Sequence, residues 1–290
     1  MLHSFWILGA TFFTVLTYVC VKWVPAEYSI WDIFFVRSSC LALFAAAAAA
    51  YARTPLLTKY PKTHVVRAAC GIVALAINVV TVQHLPIGTS QTLFYTMPLF
   101  VTLFVIAGKM RQGLPADWHS ALAVAVGFIG ICLVMQPSFG EDTAVYAGAA
   151  VASAVLAASS SLILKRLGTL GEPMMRTIFW FSTACLAASL TTELLLSRMP
   201  WSELFTEPAL LAVGLCTLGA QLAQTQGWGR GRPMLCAVLQ FSAIFFAVFF
   251  GWLFFDEQLE DAAALGMLVI IAAELASAWF NAKSLARAKR

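Results

Sequence analysis

Arg37 stands in the stretch FFVRSSCLALF, a guanidinium among residues suited to hydrocarbon or to helix contacts. It follows Ile30, where an apolar run begins, by seven residues, or about 10 Å of helix. An arginine near the centre of a bilayer costs roughly 2.5–3.5 kcal/mol on insertion scales, so its presence needs a reason. Two readings are open. The side chain snorkels to the nearer surface or makes a structural ion pair, helped by Asp32 about a turn and a half above. Alternatively it is a gate or a clamp for a substrate carboxylate, which the planar guanidinium fork fits. Glu274 and Glu193 are the other charges set inside apolar runs. Glu274 shares a polar face with Ser277 and Asn281. Desolvation at that depth disfavours a carboxylate, so Glu274 is a proton-coupling candidate or a hydrogen-bonded structural residue. Glu193, closer to an interface, is the second proton-coupling candidate. Either glutamate is a conceivable partner for Arg37.

Uncharged polar residues recur at helical spacing. Gln91, Tyr95, Pro98 and Thr102 share one face, as do Gln221, Gln224 and Trp228. Thr14 lies with Thr11 and Tyr18; Asn78 lies with Gly71, Ala74 and Thr81; Gln240 begins a stripe with Ala243, Ala247 and Gly251. Hydrocarbon offers no partner to an amide or hydroxyl, so these faces point inward, to interhelical hydrogen bonds or to a water-filled cavity. Thr14, Asn78, Gln91, Tyr95, Gln221, Gln224, Trp228 and Gln240 are therefore the substrate-cavity candidates. Tyr95 and Trp228 read either as stacking platforms or as aromatics of the membrane interface. Pro98 lacks an N–H and frees a carbonyl, which makes it a hinge candidate or a static kink.

The chain that must position these groups has 290 residues, 61% of them hydrophobic and 11% charged. Soluble domains carry about 25% charged residues, so the expected class is an all-α integral membrane protein. Ten apolar runs are expected to span, at about 4–21, 30–51, 65–83, 88–108, 117–136, 145–165, 175–196, 208–227, 233–254 and 262–281. Each is long enough to cross roughly 30 Å of hydrocarbon. The first run reads as a retained helix and not a removable signal, because MLHS holds no Lys or Arg and no small-x-small site follows. With the N-terminus in the cytoplasm, only Lys22 and Arg198 of the 18 Lys and Arg residues fall outside and Arg37 falls within the membrane. The remainder, Arg67 among them, are assigned to the inner side, which places both termini in the cytoplasm. The net charge of +4 is thus a topology signal and no sign of nucleic-acid binding.

Other chemistries find little support. The seven cysteines form no CxxC pair and read as small packing residues, so neither a metal site nor a cofactor is expected. The four histidines sit at helix ends or loops, and HExxH, GxSxG and paired intramembrane aspartates are missing. A nucleotide-binding cassette is missing too. A membrane-embedded enzyme is disfavoured on these grounds; a channel or an assembly subunit that needs a partner chain is the alternative to a carrier.

A break near 137–144 divides the runs into five and five, 1–140 and 141–290. An odd number per half makes any two-fold repeat inverted across the membrane. FYTMPLFVTLFVIAGKMRQG in the fourth run and LQFSAIFFAVFFGWLFFDEQ in the ninth are both aromatic-rich and end in a charged turn. Each precedes a run with small residues, AVGFIGICLV and ALGMLVIIAAELAS. HLPIGTSQTLFYTMPLFVTLF, FFVRSSCLAL and WGRGRPMLCAVLQFSAIFFAVFFGWLFFDEQLE resemble, in order, passages of the EamA-type family of the drug/metabolite transporter superfamily. The first matches that family's LP-small-x-x-x-x-P-x-F passage and the second its arginine-bearing second helix. One departure is the turn GKMRQG, where the family has a glutamate; the acidic turn occurs only in the second half, at Asp256 and Glu257. The resemblance implies ten helices around a central cavity, alternating access, and a small metabolite such as an amino acid or related compound, more often exported. It also implies a bacterial inner membrane. Expected partners are that substrate and the lipid bilayer, and ten helices enclose a cavity without a second copy, so a monomer is expected.

Overall fold

The computed structural model describes residues 2–85, 87–115, 117–137, 144–196, 201–256 and 261–288, and among them the regular structure is helical. A 3-10 turn, Leu2–Phe5, leads into α1 (Trp6–Trp23). Then follow α2 (Ile30–Tyr51), α3 (Pro61–His84), α4 (Ile87–Phe94), α5 (Met97–Arg111) and α6 (Trp118–Met135). The second half holds α7 (Ala144–Thr169), α8 (Met174–Leu196), the single turn α9 (Trp201–Leu204), α10 (Pro208–Arg230), α11 (Pro233–Leu239), α12 (Ser242–Phe255) and α13 (Asp261–Ala288). Among the described residues, eight candidate spans are long and apolar enough to cross a membrane, with α4–α5 and α11–α12 each counting as one; α13 adds a shorter apolar stretch, Ala264–Phe280.

Local chemistry sets the boundaries. Ser29 caps α2 in a reciprocal box: its hydroxyl accepts from the Asp32 N–H at 3.2 Å, and Asp32 accepts from the Ser29 N–H at 2.6 Å. Asp117 caps α6 and Glu207 caps α10. Pro61, Pro208 and Pro233 open α3, α10 and α11 at positions whose N–H would be unsatisfied in any case. Gly113 and Gly171 take positive φ beyond the ends of α5 and α7, where a side chain would be strained.

Two spans are broken in mid-course. The run α4–α5 is interrupted at Tyr95 and Thr96, and the run α11–α12 at Gln240 and Phe241. Pro98 lies at the start of α5, so the missing donor falls where a helix needs none. The second break has no proline beside it.

The four most extensive pairings are α1 with α10, α6 with α13, α2 with α8 and α3 with α7, and α5 also packs on α11. Each joins a helix of residues 1–140 to one of residues 141–290. Large apolar side chains such as Leu43, Leu122, Leu215 and Leu268 are exposed outward, as lipid contact requires. Small residues let the pairs close. A Cβ on Gly130 would stand 2.8 Å from the Gly266 carbonyl oxygen, and one on Gly266 would stand 2.6 Å from the Gly130 carbonyl oxygen. Backbone cannot yield as a side chain does, so Gly130→Val should cost about 1–3 kcal/mol of packing. A lower melting temperature and less monodisperse protein are expected in detergent, while Gly108→Val, which meets nothing within 4 Å, should leave both near wild type.

Candidate functional site

A cavity of about 340 Å³ opens beside the end of α1 that carries Lys22. Its walls come from both halves: Val15, Tyr18 and Lys22 of α1, Gln91 of α4, Tyr95 at the first break, and Ala247, Phe250 and Gly251 of α12. Ala243, Ala247 and Gly251 of α12 all lie on this wall, and small side chains there leave the space open. Lys22 sits at the rim with its Nζ 4.0 Å from the centre of the Phe255 ring. Gln91 and Tyr95 are the only predicted cavity residues that this wall brings together.

The other candidates lie elsewhere among the described residues. Thr14 donates to the Ala10 carbonyl at 2.7 Å, so its hydroxyl is spent on its own helix. Asn78 is half-buried on α3, and its Nδ2 and the Nε2 of Gln221 are buried without a hydrogen-bond partner. Gln224 is half-buried on α10, and Gln240 is half-buried at the second break. Trp228 is fully buried in the main apolar core with Ile7 and Leu235. Arg37 is half-buried, its guanidinium 4.7 Å from the Phe34 ring one turn above. Asp32, expected to help it, is buried and holds the α2 N-terminus. The Glu193 side chain lies outside the described residues, as do those of Glu257 and Asn281. No cluster of metal-ligating side chains occurs among the described residues.

The opposite end of the bundle is closed. Ser4 accepts from the Arg232 N–H at 2.9 Å, and Lys165 donates to the Gly231 carbonyl at 2.8 Å. Backbone of α7 and α10 meets at Gly168 and Gly229. A buried ionic group seals the α2–α3 and α7–α8 loops together. Glu172, 2% exposed, pairs with Arg176 at 3.0 Å and faces His64 at 3.8 Å. Thr58 donates to Glu172 at 2.6 Å, and Arg176 donates to the Pro55 carbonyl at 2.7 Å. Trp180 stacks on His64 and donates to the Leu56 carbonyl at 3.0 Å.

Pseudopaline exporters from two strains of Pseudomonas aeruginosa are 27% and 26% identical to the chain over 216 residues, covering 71% of it and 72% of each relative. A human member of solute carrier family 35 is 24% identical over 234 residues, covering 75% of the chain and 63% of that protein. The chain is similar to membrane transporters. No family model matches it. A solved crystal structure superposes with a TM-score of 0.78 at 17% identity, covering 94% of this chain and 96% of the other, which establishes a shared fold.

Against these transporter relatives, two features stand out that sequence reasoning passed over. Arg67, assigned by the charge count to the inner surface, is 4% exposed with its guanidinium 4.3 Å from the Phe181 ring. A signal was present: Arg67 extends the stripe Gly71, Ala74, Asn78 and Thr81 by one turn. The second is the Glu172 group, whose i, i+4 spacing to Arg176 is visible in the sequence, although its contacts to Thr58 and His64 come from a distant loop and helix.

Proposed function

We propose that the chain is a secondary transporter that carries a small metabolite, an amino acid or related compound, out across a bacterial inner membrane by alternating access. The observation that carries this reading is the cavity walled by both halves, open at the end which the charge rule assigns to the outside and sealed at the other. The named exporters among the relatives support the direction. Ten spans in two inverted five-helix halves, both termini cytoplasmic, complete the proposed architecture, that of the EamA-type family.

The pairing pattern supports the inverted halves. Counting α4–α5 as the fourth span and α11–α12 as the ninth, exchange each span with the one five places along. The first–eighth pair becomes third–sixth, and second–seventh, fourth–ninth and fifth–tenth map onto themselves. They are the four most extensive pairings of the bundle together with that of α5 and α11, while α7 with α10 has no counterpart of like extent between α1 and α3. A two-fold axis in the membrane plane produces such a set. The two breaks, in the fourth and ninth spans, exchange in the same way. Mutual burial between halves gives two alternative ways of closing the bundle, one at each end, and hence two states with the cavity exposed to opposite sides.

An untargeted comparison of metabolites in medium and cytosol tests the reading, using cells with the wild type, Ala247→Trp or an empty vector. A compound enriched in the medium only with the wild type is the expected result and names the substrate class. Equal profiles with folded protein in the membrane would overturn it.

A further inference from the structure

The second break has a feature which the cavity does not use. α12 begins at Ser242, and across the break the Ala243 and Ile244 N–H groups bond back to the Gln240 and Phe241 carbonyls at 3.3 and 3.0 Å, which leaves the Ser242 N–H to another acceptor. The Ser242 N–H donates to the carboxyl group of Glu274 on α13. The Ser242 hydroxyl lies 2.7 Å from Thr11 Oγ1 and donates to the Leu239 carbonyl at 2.7 Å, which bridges the break from the other side. The junction is thus held by α1 on one flank and by one carboxyl group on the other. The second carboxyl oxygen, Oε1, is buried and has no hydrogen-bond partner.

Among the described residues of the helices packed against it, nothing positive faces this group. α13 packs on α6, α11 and α12. The titratable side chains of those elements are His119 and Cys132 on α6 and Cys236 on α11; none of the three helices carries Lys or Arg. His119 is turned to the Phe280 ring, 4.8 Å away. On α13 itself the other charged residues are Asp261, Lys283 and Arg287, two or more turns from Glu274. An intramembrane carboxyl group is costly to maintain and marks a functional position by default. A purely structural cap at this break would be met by Asn, Ser or Thr, none of which carries a charge through the bilayer.

We propose that Glu274 is a proton-binding site that sets the state of the α11–α12 junction and so couples proton movement to the opening and closing of the bundle. The inference rests on the transporter reading. As a carboxylate, Glu274 attracts the positive end of α12 and holds the break open. With a proton on Oε1 the group is neutral, that attraction falls, and α12 is released to realign against α11. The proton enters and leaves by transfer to water; no covalent bond is made.

Infrared difference spectroscopy of the purified protein in lipid tests this without a substrate. Moving from alkaline to acidic buffer should produce a carboxylic-acid C=O band that disappears in Glu274→Gln and returns, shifted, in Glu274→Asp. Amide exchange at residues 240–244 should change with pH in the wild type and be independent of pH in Glu274→Gln. An unchanged band, or the same pH dependence in both proteins, would overturn the proposal. If Glu274→Gln does not fold, the Asp variant decides: an unshifted band sinks the assignment. Export that persists without the band would leave the transporter reading standing and remove the proton site; the band without export would do the reverse.

Discussion

Ala247→Trp is expected to reduce export by at least tenfold while the protein remains folded. Ala247 is exposed to the cavity on α12, opposite Tyr95 and beside Phe250 and Gly251. An indole placed there projects into open space, so no close-packed contact has to part. The helix-propensity cost is about 0.5–0.7 kcal/mol, too small to unfold a bundle of this size. What changes is the free volume, since an indole takes a large share of 340 Å³. Export of the compound found by metabolite comparison, measured beside the melting temperature, checks the point. Undiminished export with an unaltered melting temperature would mean that substrate does not pass this cavity.

Glu172→Ala should loosen the sealed end. Glu172 is 2% exposed and Arg176 12% exposed, so the pair lies largely out of water. Deleting one partner of a buried pair costs roughly 3–5 kcal/mol. The low end applies here, because Arg176 keeps its bond to the Pro55 carbonyl and some contact with solvent. About 3 kcal/mol corresponds to roughly a 100-fold change in a local opening equilibrium. Hydrogen exchange at the amides of residues 52–60 should accelerate by that order, and exchange in α6 and α13, which pair elsewhere, should not change. Equal exchange in the loop would show that the ionic group contributes nothing to closure. For a carrier by alternating access, the same variant should spend more time open on that side and lose its grip on a gradient.

Much of this architecture is legible in the residues. The run 30–51 coincides with α2, since Ser29 and Asp32 announce its start. Pro61 begins α3 a turn before the apolar run does, because a proline suits the first turn even when the sequence around it is polar. Hydropathy sees the fourth and ninth apolar runs as continuous, and only Pro98 hints at a break. The break at Gln240 leaves no local mark: it depends on Glu274 and Thr11, which reach it from α13 and α1. Arg67 misled for the same reason. Position near a helix end argues for the surface, and the Phe181 ring that covers it belongs to another helix. Gln91 and Tyr95 are legible as cavity residues because their stripe lies on one helix face. Trp228 is not, because its burial depends on Ile7 and Leu235, which no spacing in α10 reveals.

Pairing between halves also fixes an order of events during synthesis. Thr11 and its partner Ser242 are 231 residues apart. At roughly 5–20 residues per second, α1 waits about 10–50 s in the membrane before α12 emerges. Through that interval its interior face, with Thr11 and Thr17, is turned to lipid or to provisional neighbours. Both hydroxyls donate to carbonyls of their own helix, Thr11 to Ile7 and Thr17 to Phe13, so neither is stranded while it waits. The polar stripe of α1 is thus written in residues that a lone helix can satisfy by itself, and the glutamate that completes the junction arrives later still, on α13.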